Sequence, residues 1–261
     1  EATGYGPVIG EALLERGRLH ALVRRHEAAE LDFFAAYTRA VASGDDALAR
    51  DAALLMIEAL LVRASLPEAQ RWIAVAGAAL ERSPDPGGTA RLFHLRGELM
   101  ALLDRSAEAE ALLAQSIIAY DAAYGPDHLG SIEARVAYSD HLARGQHVER
   151  AREIIRDLLP RLERLYGPEH PALAELVSTE GLLCRDLGDY EAALASLRRS
   201  QALLRQIHSD DEDRLVRLND NIALTLYLQG QLDDALNVAR AALAAAERRL
   251  SPDDPGLVPY C

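Results

Sequence analysis

Residues 181–197 read GLLCRDLGDYEAALASL, and the spacing inside that stretch decides the fold. Gly181 stands twelve residues before Ala193, Tyr190 stands three before it, and Leu197 stands four after it. Apolar residues at i, i+3 and i+4 on both sides of a short Gly188-Asp189 break predict a helix, a turn and a second helix. Gly181 and Ala193 are the small residues at which the two helix backbones come close.

The same spacing recurs outward in both directions. An alanine precedes a further apolar residue by four positions in Ala29/Phe33, Ala69/Ile73, Ala109/Leu113, Ala151/Ile155, Ala193/Leu197 and Ala235/Ala239, and the alanines are 40, 40, 42, 42 and 42 residues apart. Three residues before each stand His26, Leu66, Ser106, Val148, Tyr190 and Leu232, and Gly17, Gly97 and Gly181 stand twelve before three of them. A chain breaker recurs in phase as well. Residues 166–170 read YGPEH, residues 124–128 read YGPDH 42 positions earlier, and RSPDPG, HSDDED and LSPDDP open at Arg82, His208 and Leu250. A fixed period of this length marks a repeat architecture.

The glutamate beside a histidine at 169–170 therefore reads as a joint and not as a catalytic pair. His128, Glu212, Asp254 and Pro86 occupy the position of His170 in the other copies, and a catalytic histidine has no reason to recur in joints. Gly167 is expected in a left-handed C-terminal position, Pro168 to stop the outgoing helix, and Pro171 to sit in the first turn of the next.

One helical hairpin cannot bury its own apolar face, whereas stacked hairpins bury it against one another. The expected fold is all-α, an α-solenoid of about six hairpins and twelve helices in one domain over residues 1–261. The repeats are placed at about 7–42, 45–82, 87–122, 129–164, 171–206 and 213–249, with 250–261 opening a truncated seventh. An uncovered last helix would expose an apolar stripe, so end-to-end self-association is expected.

Composition removes several functions. The chain has 261 residues, 49% of them hydrophobic, enough to bury a sizeable core. It begins at Glu1 without an initiator methionine, which reads as a fragment of a longer protein, and it has no apolar run long enough to span a bilayer. Its 41 acidic residues against 28 basic ones give a net charge of −13, which argues against nucleic acid or membrane partners. Cys184 and Cys261 are too few for a disulfide framework or zinc knuckle and point to the cytoplasm. All 28 basic residues are arginine. Without lysine the chain cannot be a P-loop enzyme, a Schiff-base enzyme or a protein-kinase catalytic domain.

No residue pattern calls for a cofactor or a metal. His141 and His147 are six apart on poorly matched helix faces, and the acidic run Asp210–Asp213 suits a helix start. Cys184 shares its phase with His20, Met100 and Leu226, the packed phase of the first helix, so it reads as core. There is no G-x-S-x-G elbow, and no enzyme activity is expected. A surface remains, formed by the first helix of each hairpin on the concave side. That lining is expected to include Arg91, His94 and Glu98 in the third unit, Ser178 and Arg185 in the fifth, and Arg217, Asp220, Asn221 and Tyr227 in the sixth. These side chains suit a protein or peptide ligand with backbone amides and acidic or aromatic groups. A merely solvated polar face is the alternative for each.

The series Gly181, Cys184, Gly188, Tyr190, Ala193 and Leu197 resembles the tetratricopeptide repeat, and the long period with its YGPEHP joint resembles the kinesin light chain variety. The resemblance implies a right-handed superhelix that carries protein interactions. Three features depart from it: Glu180 replaces a leucine, Leu158 replaces a small residue, and the turn at Gly145–Val148 is one residue long. Co-chaperones of this family hold a partner's terminal carboxylate with lysines and asparagines, whereas here Leu14, His94, Ser178 and Asp220 occupy one of those positions, which disfavours that role. The stretches at 4–30 and 43–72 also resemble the repeat tails of bacterial Ser/Thr protein kinases. That resemblance implies a non-catalytic interaction or sensing region, the other reading being a regulator that encloses a short signalling peptide.

Overall fold

The computed structural model describes residues 6–170, 173–206 and 212–247. Among them are twelve helices and no strand. In order these are α1 (Gly6–Leu22), α2 (His26–Ser43), α3 (Asp46–Val62), α4 (Leu66–Arg82), α5 (Pro86–Leu102) and α6 (Ser106–Tyr124). There follow α7 (Leu129–Arg144), α8 (Val148–Tyr166), α9 (Ala174–Asp186), α10 (Tyr190–Gln206), α11 (Glu212–Leu228) and α12 (Leu232–Glu247). The all-α helical repeat expected from the periodicity is the observed one. The chain divides into two compact units, Glu1–His141 and Leu142–Cys261.

In the first unit α1 to α6 pack each on the next, and the first helix α3 also touches both α1 and α5. In the second unit α8 to α12 pack in sequence, with α9 also meeting α11. The core of the first unit runs from Leu14 and Phe33 through Leu54 and Ile57 to Leu95 and Leu99. In the second, Leu194 and Leu197 of α10 meet Leu218, Ile222 and Leu226 of α11.

The six even-numbered helices begin at His26, Leu66, Ser106, Val148, Tyr190 and Leu232, the residues three before each repeat alanine. Those alanines are buried, because they sit where the two helices of a hairpin cross. At Gly97 a Cβ would lie 2.8 Å from Leu113 Cγ, and at Gly181 it would lie 2.8 Å from Leu197 Cγ. The glycine and the leucine after the alanine thus form one knob and hole, and no larger residue fits unless the leucine moves.

Each turn inside a hairpin carries one residue of positive φ two places before the second helix. Glycine fills it at Gly188 (78°) and Gly230 (87°), but Arg24 (58°), Ala64 (55°), Asp104 (58°) and Gln146 (63°) fill it elsewhere. The turn at Gly145–Val148 is therefore not one residue long. Its glycine is out of phase, and Gln146 takes the left-handed conformation in its place.

The joints between hairpins differ from their expected form in one respect. Gly167 has φ 89° and ψ 151°, positive but extended and not left-handed helical, and Gly125 repeats this at 85° and 163°. Only glycine enters that region readily. His170 N donates to Gly167 O at 3.2 Å and its ring stacks on Tyr166 at 5.1 Å, as His128 stacks on Tyr124 at 4.3 Å. Pro171 lies outside the described residues, and α9 begins at Ala174. Leu158 is fully buried in α8, in the phase held by Ala36, Ala76, Ser116 and Ser200.

Candidate functional site

The expected site residues fall into separate places. In the first unit Arg91 on α5 lies 2.6 Å from Glu58 on α3, an ion pair between the first helices of adjacent hairpins. His94 and Glu98, one turn apart on α5, approach to 3.2 Å between Nε2 and Oε1, with the histidine largely buried. These three side chains are engaged with their own chain.

The second unit gathers Ser178, Arg217 and Asn221 around one cleft of about 240 Å³, bounded by α9, α10 and α11. Leu182, Leu204 and Leu218 form its apolar side. Across it Arg214 of α11 is ion-paired with Glu175 of α9, which ties the two first helices together. Arg185 at the far end of α9 donates from Nη1 to Asn221 Oδ1 at 3.2 Å. With its oxygen so used, the Asn221 carboxamide has two N–H donors with no acceptor among the described residues.

Arg217 and Arg91 are the same position in two hairpins, each eighteen residues before its repeat alanine. The carboxylate that satisfies Arg91 is Glu58, and the residue in Glu58's phase opposite Arg217 is Leu182. Arg217 is accordingly exposed and has no ion pair among the described residues. A guanidinium without that ion pair among the described residues and an oriented amide on the same cleft are groups that can hydrogen-bond a carboxylate and a carbonyl.

Asp220, next to Asn221 in sequence, faces elsewhere. It borders a groove of about 460 Å³ between α11 and α12 that includes Leu224, Leu236 and Leu243. Leu194 is 5% exposed beneath α11, whereas Leu236, its counterpart 42 residues on, is 47% exposed. Tyr227 is exposed near the end of α11.

The other chemical candidates resolve as structure. Cys184 is buried on α9, and desolvation pushes its thiol pKa up, away from a reactive thiolate. His141 is buried with Nε2 3.2 Å from the Ser106 carbonyl oxygen. No group of three or more His, Cys, Asp or Glu among the described residues could hold a metal, and the acidic run 210–213 lies outside the described side chains. No described helix is long and apolar enough to cross a membrane.

Sequence reasoning missed Glu175, Arg214 and Leu182, whose part in the cleft depends on how α11 is laid beside α9. It also missed a groove of about 580 Å³ in the first unit, between α2 and α4. Its signal was present in Leu31 and Phe34, large apolar residues at positions where the packing needs none.

Comparison with known proteins agrees with the all-α repeat fold. Residues 177–248 match the tetratricopeptide repeat family model. No curated protein matches the sequence. The fold is similar to BtubC (BKLC) from P. vanneervenii, at 14% identity and TM-score 0.69 over 95% of this chain and 93% of that one. It is similar to the kinesin light chain TPR-like repeats of Podosopora anserina, at 13% identity and TM-score 0.64 over 75% of this chain and 93% of that one. It is also similar to the apo quorum sensor NprR from B. thuringiensis, at 13% identity and TM-score 0.71 over 97% of this chain and 69% of that one. Matched in sequence over 177–248 to the tetratricopeptide repeat and built from one recurring helical hairpin, the chain is an all-α helical repeat whose fold is similar to kinesin light chain TPR-like repeats.

Proposed function

We propose that this chain is a non-catalytic docking module that holds an extended, acidic peptide segment of a partner protein across α9 and α11. The observation that carries the reading is the pairing of Arg217, whose repeat counterpart Arg91 has a carboxylate and which itself has none among the described residues, with an Asn221 amide oriented by Arg185. A ligand carboxylate takes the place that Glu58 fills in the first unit, and Asn221 donates to a ligand carbonyl. Leu182 and Leu218 give an apolar or aromatic side chain its seat.

The test is a calorimetric titration with a capped peptide alternating aspartate and tyrosine. Arg217→Glu is expected to abolish binding and Asn221→Ala to weaken it about tenfold, or about 1.4 kcal/mol. Unchanged affinity in both variants would remove the site.

The likeness of 4–30 and 43–72 to bacterial Ser/Thr kinase tails supports placing the module in such a kinase in the cytoplasm, as its interaction or sensing region. The other reading is a peptide-sensing regulator, supported by the fold shared with the quorum sensor NprR. A kinase domain or a DNA-binding domain in the same open reading frame decides between them. We also propose that the six hairpins form one domain and that the α11/α12 groove mediates self-association.

A further inference from the structure

The groove between α2 and α4 has no part in that reading. Its floor is Met56 and Leu60 of α3, and Leu31 and Phe34 stand beside it, 72% and 55% exposed. Trp72 forms the opposite wall, edge-on to Phe34 at 6.3 Å and to Tyr37 at 5.0 Å, so the aromatic side is held in place.

The repeat shows that the fold does not require these apolar groups. Leu31 and Phe34 stand two and five residues after their repeat alanine, where the second hairpin has Arg71 and Ala74 and the fifth has Ala195 and Arg198. Small or polar residues suffice there for helix packing, and only the first hairpin sets two large apolar side chains at both positions in water.

The rim carries Glu27, Glu30 and Glu68 against Arg63 alone. Arg63 lies 3.0 Å from Glu30 and 3.5 Å from Glu27, which shows that a guanidinium is at home on this edge. Glu68 is exposed and has no ion pair among the described residues. An acidic rim on a chain of net charge −13 repels anionic lipid and nucleic acid and attracts a cationic protein segment.

We propose that this groove docks a cationic amphipathic segment of a partner protein. An aliphatic side chain of that segment seats over Met56 and Leu60 against Phe34 and Trp72, and arginine or lysine on either side of it meets Glu68 and Glu30. Trp72 is the single tryptophan of the chain, so its emission reports on this groove directly.

The experiment titrates the whole chain with a capped leucine/arginine amphipathic peptide, with its counterpart carrying glutamate for each arginine, and with phosphatidylserine vesicles. The arginine peptide is expected to give a saturable change in Trp72 emission, with the glutamate peptide at least about tenfold weaker and the vesicles silent. Phe34→Ala and Glu68→Arg, each with unchanged helix content, are expected to weaken the arginine peptide about tenfold, and Arg217→Glu to leave it unaltered. No response, an equal response to both peptides, a response to vesicles alone, or loss of binding in Arg217→Glu only would each overturn the proposal. The last outcome would move the peptide to the α9/α11 cleft.

Discussion

Gly181 and Leu197 show how one residue type specifies a hairpin. Leu197 is fully buried, and the hole it fills exists because position 181 has no side chain. Gly181→Ala would ordinarily favour a helix interior, since alanine has the better propensity. Here the added methyl lies 2.8 Å from Leu197 Cγ and 3.2 Å from the Ala193 carbonyl oxygen, so overpacking outweighs propensity. The expected loss is about 1–3 kcal/mol in denaturant unfolding. Combining it with Leu197→Ala is expected to cost less than the sum of the two single changes, because the second opens the space that the first needs. Strict additivity would contradict the knob-and-hole pairing.

At the scale of the element, the turns inside the hairpins are more alike in conformation than in sequence. Six residues with φ between 55° and 87° stand in one phase, and four of them are not glycine. The backbone imposes the left-handed conformation because Ser65 N must reach Leu60 O and Ala64 N must reach Leu61 O to close the outgoing helix. Ala64 bears the steric cost of that conformation without a polar side chain to relieve it. Ala64→Gly is therefore expected to raise stability by about 0.5–1 kcal/mol, read as a higher urea midpoint at unchanged slope. A fall in midpoint would show that the unfolded chain gains more from glycine than the turn does.

For the whole molecule, the same repeat logic marks the α11/α12 groove as a face open to association. Leu194 is covered by α11, while its counterpart Leu236 and the neighbouring Leu224 are nearly half exposed. Exposed apolar side chains in contiguous array drive association. The chain is expected to form a concentration-dependent dimer in light scattering, and Leu236→Glu is expected to return it to monomer with unchanged helix content. A dimer that survives Leu236→Glu would place the contact elsewhere.

Local repetition made the helices legible. Six copies of one alanine phase predicted six helical hairpins, and each even-numbered helix starts three residues before its alanine, because i, i+3, i+4 periodicity and close helix crossing are properties of a single hairpin. Glycine alone misplaced one turn, since Gln146 and not Gly145 occupies the position that the hydrogen bonds require. The cleft was legible only in part. Asp220 and Asn221 are neighbours in sequence, yet about 100° of helix rotation sends one toward α12 and the other toward α9. Whether an arginine meets the carboxylate of its repeat phase depended wholly on tertiary structure. Arg91 and Arg217 have the same phase, but the side chain opposite each belongs to another hairpin, a carboxylate in one case and Leu182 in the other, and only the lateral packing of first helices brings those distant positions face to face.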